Sequence, residues 1–387
     1  SGRSHIYEEG VDEILREVSG RNLKATVDLR EAVLNTDYTF ICVGTPSKDN
    51  GNINLDHVKG VSRDIGEILR DKEGYHVVVV KSTVTPRATE EVIIPLLEES
   101  SGRKCGVDFG VAVNPEFLKE GVAMEDFMNP DRIVIGSCDG RSGDLVEGLY
   151  QDFSCPVLRV DLRTAEMIKY ASNVFLATKI SFINEIGNIC RGLGINTYDV
   201  ADGIALDHRI SPHFLKAGLG FGGSCLPKDT RELVFKARGL GYEPSLLASV
   251  LKVNEGQPAR FLGIARERVG GFSGKRVAVL GLAFKGDTDD VRDSQALPVV
   301  SLLLDEGARV VVYDPRAEEN AKTVFGDRIQ YAGSAGDALE DSDVALVLTD
   351  WEEFESLDFG GMKSKIVVDA RNVVKGREGV EYLGLCW

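Results

Sequence analysis

Cys225 closes the run Gly218-Leu219-Gly220-Phe221-Gly222-Gly223-Ser224, and Lys228 and Asp229 follow it. Apolar spacing predicts a helix from about Asp229 to Leu240, which places the thiol just ahead of a helix N-terminus. A thiol there, beside a lysine, ionises more readily and becomes a competent nucleophile. Taken alone, the residue reads equally well as a structural cysteine in a turn; the glycines and the Lys-Asp pair favour the reactive reading. The same glycines match Gly-x-Gly-x-x-Gly, but Phe214-Leu215-Lys216-Ala217 ahead of them follows Ser211-Pro212 and is no buried strand, so the dinucleotide fingerprint is set aside. A flexible loop is expected instead, one whose backbone N–H groups come close to a phosphate or sugar.

Lys169 and Asn173 stand four apart on a predicted helix and so share a face. A solvated lysine with an asparagine one turn on would be unremarkable, yet Ile168, Tyr170, Ala171 and Val174 around them are mostly apolar. A buried ammonium and an amide make two donors for a developing oxyanion. Asn114-Pro115-Glu116-Phe117-Leu118-Lys119-Glu120-Gly121 follows the strand-like run 109–113. Its two carboxylates are either an acid pair at a helix start or the source of a general base. Gly281-Leu282-Ala283-Phe284-Lys285-Gly286, with Arg292 beyond, reads as a strand-to-helix turn suited to a nucleotide phosphate, or as a plain connection.

The elements that must carry these groups fall into three stretches. Short β-branched runs (38–43, 76–81) alternate with helical spacing (10–18, 29–34, 56–70), with a further short strand expected near 23–26. That alternation implies a doubly wound parallel sheet, whose ligands lie beyond the carboxyl ends of its strands, where Gly44-Thr45-Pro46 and Ser82-Thr83 fall. The middle is helical, led by one long helix over 162–193 and a second from about 197 to 204. Strand runs resume at 276–281, 309–314, 344–349 and 365–369, with a helix over 296–306. The fold class is therefore α/β, two Rossmann-like sheet domains joined by a helical central domain. The expected divisions are residues 1–160, 161–270 and 271–387, with a break at Gly270–Gly274.

Composition sets the outer limits. The 387 residues, 43% hydrophobic and 27% charged, suit a globular protein of two or three domains. Forty-five basic against sixty-one acidic residues give −16, a poor balance for nucleic-acid binding. Seven scattered cysteines form no disulfide framework and no Cys-x-x-Cys metal pair. No run approaches the roughly 20 apolar residues of a membrane span, and the polar start Ser1–Gly10 does not read as a signal peptide. A cytoplasmic protein with no membrane, metal or nucleic-acid partner is expected.

In order along the chain, Val43-Gly44-Thr45-Pro46, Lys81-Ser82-Thr83, Asn114 to Gly121, Lys169 with Asn173, Gly220 to Asp229 and Ala283-Phe284-Lys285 resemble the UDP-glucose/GDP-mannose dehydrogenase family across essentially the whole sequence. Asp207-His208-Arg209-Ile210 and Phe214 to Gly218 resemble its UDP-glucose branch more than its GDP-mannose branch. The resemblance implies oxidation of a nucleotide sugar's C6 alcohol to a carboxylate with two NAD and one water. It implies Cys225 as the nucleophile, Lys169 and Asn173 as holders of the thiohemiacetal oxyanion, Asp229 with Lys169 as holders of a water, and Glu116 as the base that hydrolyses a thioester. It further implies NAD contacts at Thr45, Thr83, Glu120 and Arg292. UDP-sugar contacts are implied at Phe117, Leu118, Phe214, Gly222 and Lys285. Arg209 would come from a neighbouring subunit, so a homodimer or higher oligomer is implied.

One departure stands out. The family's opening strand, Gly-x-Gly-x-x-Gly, helix, strand and ribose-binding acid have no counterpart here, and Ser1–Gly10 resembles the segment just after them. If the protein itself lacks that unit, the pyrophosphate cradle is gone and NAD binding should weaken badly. The competing reading of another class is a catalytically silent nucleotide-sugar binder, against which the complete catalytic set argues. A cysteine hydrolase fits worse, because none of the histidines at 5, 57, 76, 208 and 213 stands in a Cys-His context.

Overall fold

The computed structural model describes residue 4, residues 8–48 and residues 50–387; most of the opening segment read as following the family's first unit, and His5, lie outside them. The chain forms two compact units, one of Ser1–Ser172 with Arg231–Gly241, the other of Asn173–Thr230 with Tyr242–Trp387.

The first unit holds α1 (Val11–Val18), α2 (Leu29–Leu34), β1 (Tyr38–Ile41), α3 (Asp56–Leu69), β2 (Val77–Val80), α4 (Ile94–Ser101), β3 (Gly110–Val113), α5 (Ala123–Met128), β4 (Ile133–Ser137), α6 (Gly140–Gly148) and β5 (Val157–Val160). Its sheet runs β1-β2-β3-β4-β5, parallel except for the antiparallel β3–β4 pair. Four consecutive valines make β2, all fully buried, as a strand covered on both faces requires. The run 38–43, read as buried, is only partly so: β1 is the outermost strand of the sheet among the described residues, with Ile41 buried and Phe40 exposed. The strand expected near 23–26 does not form; only an isolated bridge joins Ser19 to Leu23.

Helix α7 (Leu162–Leu193) runs unbroken for 32 residues, about 48 Å at 1.5 Å per residue. Its first turn is fixed by Asp161, whose carboxylate accepts from the Thr164 N–H at 2.8 Å. After it come α8 (Thr197–Ala205), α9 (Leu226–Gly239) and α10 (Ser245–Val269). The sequence reading missed α10, whose helical pattern is interrupted by Pro258 and by the buried polar residues Asn254 and Gln257.

The second unit's sheet is built from β6 (Arg276–Leu280), α11 (Ala296–Asp305), β7 (Arg309–Tyr313), α12 (Glu318–Phe325), β8 (Gln330–Tyr331), α13 (Ala335–Leu339), β9 (Val344–Val347), β10 (Ile366–Asp369) and β11 (Glu381–Gly384). All its pairings are parallel, in the order β11-β10-β9-β6-β7-β8. The order reverses between β6 and β9, the crevice where doubly wound sheets take ligands.

Candidate active site

In the first unit, three loops leave the carboxyl ends of parallel strands. Thr45 follows β1 and Thr83 follows β2, and the Thr45 Oγ1 donates to the Thr83 carbonyl at 3.0 Å. The Ser82 hydroxyl ties the same loops, donating to the Val43 carbonyl at 2.7 Å. The third loop, after β3, carries Glu116. It is irregular until α5 begins at Ala123, so Glu116 and Glu120 are not the acid pair of a helix start.

Lys169 on α7 is 4% exposed and donates to Glu116 Oε1 at 2.8 Å, and Glu116 Oε2 accepts from the Leu118 N–H at 2.7 Å. The ring of Phe117 lies 5.5 Å from the Lys169 ammonium and carries the Arg132 guanidinium at 3.8 Å on its face. Below this pair, Asn114 Oδ1 accepts from Lys81 Nζ at 2.8 Å and from the Tyr150 hydroxyl at 2.5 Å. Burial holds Lys81 below the ordinary lysine range, against the opposing pull of the Glu116 carboxylate. Glu166, one turn before Lys169 on α7, is also buried and accepts from the Arg87 and Thr89 N–H groups at 2.6 and 2.9 Å. Burial pushes its carboxyl up to about 7. Lys81, Asn114, Arg132 and Glu166 carried no role in the sequence reading; a charged residue among apolar neighbours on the long helix was the available signal for Glu166.

In the second unit, Asn173 is buried one turn beyond Lys169 and donates from Nδ2 to Asp229 Oδ2 at 2.6 Å. The other oxygen of Asp229 takes the Lys228 ammonium at 2.6 Å, so a fully buried carboxylate is served by two donors. Cys225 immediately precedes α9 and is exposed. Helix α7 thus carries Lys169 and Asn173 at one-turn spacing, each holding a carboxylate.

The glycine loop departs from expectation. It is buried and clamped, not flexible: Gly218 N–H donates to Asn184, its carbonyl accepts from Gln257, and Phe221 exchanges two hydrogen bonds with Asn254. A Cβ on Gly222 would sit 2.5 Å from the Asp293 carbonyl oxygen, and one on Gly218 2.6 Å from that of Ala370. These glycines are there for protein backbone that passes too close for any side chain.

The second sheet's strand ends are occupied in their own way. Asp314, at the end of β7, stands where an acid in dinucleotide-binding sheets meets a ribose. Here its Oδ2 accepts from the backbone N–H groups of Leu282 and Ala283 at 2.7 and 3.0 Å and from Trp351 Nε1 at 3.2 Å. That loop carries Lys285. Arg292 forks onto the buried Asp290, with Nη2 at 2.7 Å from Oδ2. Phe214 is half-buried with a left-handed backbone, φ 61°. Arg209 is exposed and pairs with Asp207 at 2.5 Å, and Leu118 is exposed at the Glu116 loop.

Family profiles cover the chain in the same order. Residues 1–154 match the NAD binding domain of the UDP-glucose/GDP-mannose dehydrogenase family, residues 163–256 its central domain and residues 278–376 its UDP binding domain. The chain belongs to the UDP-glucose/GDP-mannose dehydrogenase family. It is 48% identical to the UDP-glucose 6-dehydrogenase AglM of Haloferax volcanii over 99% of this chain and 90% of that protein. It is 39% identical to the GDP-mannose 6-dehydrogenase of Pseudomonas syringae pv. syringae, over 100% of this chain and 91% of that one. Among solved structures, a UDP-glucose dehydrogenase from the hyperthermophilic archaeon Pyrobaculum islandicum superposes with a TM-score of 0.94 at 46% identity, covering 100% of this chain and 88% of that one.

As a member of the UDP-glucose/GDP-mannose dehydrogenase family, the chain is an NAD-dependent oxidoreductase. At the first unit's strand ends the Thr45 and Ser82 hydroxyls are spent on loop carbonyls, and a Cβ on Gly44 would meet no protein atom within 4 Å. No described helix is long and apolar enough to cross a membrane, and the described residues hold no cluster able to ligate a metal.

Proposed function

We propose that this enzyme oxidises the C6 alcohol of UDP-glucose to the carboxylate of UDP-glucuronate, holding the carbon on Cys225 between its two oxidations. The observation that carries the reading is the buried Lys169–Asn173 pair, two donors at one-turn spacing on α7, each kept in place by a carboxylate. Bound NAD, held at Thr45, Thr83, Glu120 and Arg292, would accept the hydride in each oxidation.

The protein's own groups do the remaining work. Asp229 and Lys169 hold a water that takes the hydroxyl proton in the first oxidation. The Cys225 sulfur then adds to C6 of the aldehyde, and the oxyanion so formed takes hydrogen bonds from Lys169 Nζ and Asn173 Nδ2. The second oxidation leaves a thioester on Cys225. Glu116, held between the Lys169 ammonium and the Leu118 N–H, receives a proton from the attacking water, and C–S cleavage frees the thiol and the carboxylate. Keeping the aldehyde covalent lets one site complete a four-electron oxidation without losing a reactive intermediate.

For the substrate, backbone groups at Phe117, Leu118 and Gly222 and the ring of Phe214 take the sugar and diphosphate, with Lys285 as cation. Residues 1–160 bind NAD, 161–270 carry the thiol and the long helix, and 271–387 bind UDP. Self-association supplies Arg209 from a second copy. On α7, Phe175, Phe182 and Ile189 are exposed at seven-residue spacing, a seam suited to packing against a second helix. A cytoplasmic setting suits its reduced thiols.

The test is NADH formation with UDP-glucose and with GDP-mannose in parallel. UDP-glucose should be the better substrate by kcat/KM, with two NADH per sugar. Preference for GDP-mannose, the substrate named for the 39%-identical Pseudomonas relatives, would overturn the choice of sugar. Tight UDP-glucose binding without NADH would overturn the enzyme.

A further inference from the structure

Two thiols outside this site touch. Cys105 Sγ and Cys138 Sγ are 3.2 Å apart, 33 residues from one another in sequence. Cys105 sits in the tight loop before β3, where it bridges to Phe109, and its N–H donates to Glu98 Oε1 at 3.1 Å. Cys138 follows β4, and its N–H donates to the Val111 carbonyl of β3 at 3.0 Å. Both backbones are therefore fixed, and both side chains are partly accessible. A disulfide has its sulfurs about 2.05 Å apart, so closure asks for an approach of about 1.2 Å, within reach of small side-chain rotations.

We propose that Cys105 and Cys138 are an oxidative modification site, closing to an intrachain disulfide when the protein meets a small-molecule disulfide. The Cys138 thiolate attacks one sulfur of the oxidant RSSR, forming a mixed disulfide and expelling RS⁻. The Cys105 thiolate then attacks the Cys138 sulfur and expels the second RS⁻. The two protein thiols lose two electrons and two protons, and the oxidant leaves as two RSH.

The surroundings favour Cys138 as the first nucleophile. Its sulfur accepts from the Cys105 thiol and, at 3.2 Å, from the Val111 N–H, which stabilises negative charge there. The Cys105 bond is the main reason that Cys138 ionises below the ordinary cysteine range, while the same bond pushes Cys105 up. Asp139, whose Oδ2 lies 3.0 Å from the Cys138 sulfur, works against this and slows the first step. The pair lies at the amino end of β3, whereas Glu116 follows its carboxyl end, so the cross-link leaves the Glu116–Lys169 pair in place.

The experiment incubates the purified chain with oxidised glutathione, caps remaining thiols and maps peptides without reduction. A linked pair containing Cys105 and Cys138, two hydrogens lighter than the separate thiols, is expected. With it the midpoint of thermal unfolding should rise by roughly 5–10 °C and fall back on adding dithiothreitol. Cys105→Ser should abolish both changes; if that variant folds poorly, the reduced wild type is the reference. Recovery of Cys105 and Cys138 as separately capped thiols, or as two stable glutathione adducts, would overturn the proposal.

Discussion

Replacing Lys169 by Met keeps the long apolar stem and removes the ammonium. The Lys169–Glu116 pair is 2.8 Å long, with side chains 5% and 27% exposed. A fully buried pair costs about 3–5 kcal/mol to break and an exposed one under about 1 kcal/mol. The water reaching Glu116 places this pair between them, at roughly 1–2 kcal/mol, readable by urea denaturation. Activity should fall far more, because an oxyanion donor is worth on the order of 10²–10³ in kcat. The double variant Lys169→Met with Glu116→Gln separates the two effects: it removes the stranded carboxylate and should recover most of the stability, but none of the kcat. NADH formation under saturating UDP-glucose is the assay. A kcat within about threefold of wild type in the single variant, or kcat restored together with stability in the double, would refute the reasoning.

Two more outcomes follow from the geometry. Gly222→Ala would push a Cβ to 2.5 Å from the Asp293 carbonyl and 3.0 Å from the Phe284 Cβ, so it should destabilise the second unit by about 1–3 kcal/mol, measured by chemical denaturation; an unchanged midpoint would show that the loop gives way. Glu166 titrates near 7 in the folded chain, chiefly through burial, and near 4.3 when unfolded, so the native state holds its proton more tightly. Its contribution is fully present below about pH 4.3 and is lost as pH rises through 7. Relative to Glu166→Gln, the wild type should therefore lose up to about 3 kcal/mol between those limits, and a difference flat in pH would contradict the assignment.

Much of the positioning framework was legible because it is local. The long helix over 162–193 and the valine run of β2 show in the sequence at almost their observed bounds, since apolar periodicity over many residues, or unbroken β-branching, leaves few alternatives. Buried Lys169 was visible through its apolar neighbours. What stayed hidden was non-local. Nothing in spacing tells that Lys169 meets Glu116 across 53 residues, and the family resemblance implied a role for each but not that contact. The glycine loop read as flexible because glycine permits many backbone conformations, but the protein's own backbone at Asp293 and Ala370 packs against it, a contact that spacing does not show. Helix α10 escaped because Asn254 and Gln257, polar and buried, serve that loop and break the apolar stripe.

The most direct measurement is the number of NADH formed per UDP-glucose consumed, by the wild type and by Cys225→Ala. The account predicts two for the wild type and, for the variant, turnover that stops after the first oxidation. Two NADH per sugar from Cys225→Ala at an undiminished rate would contradict it.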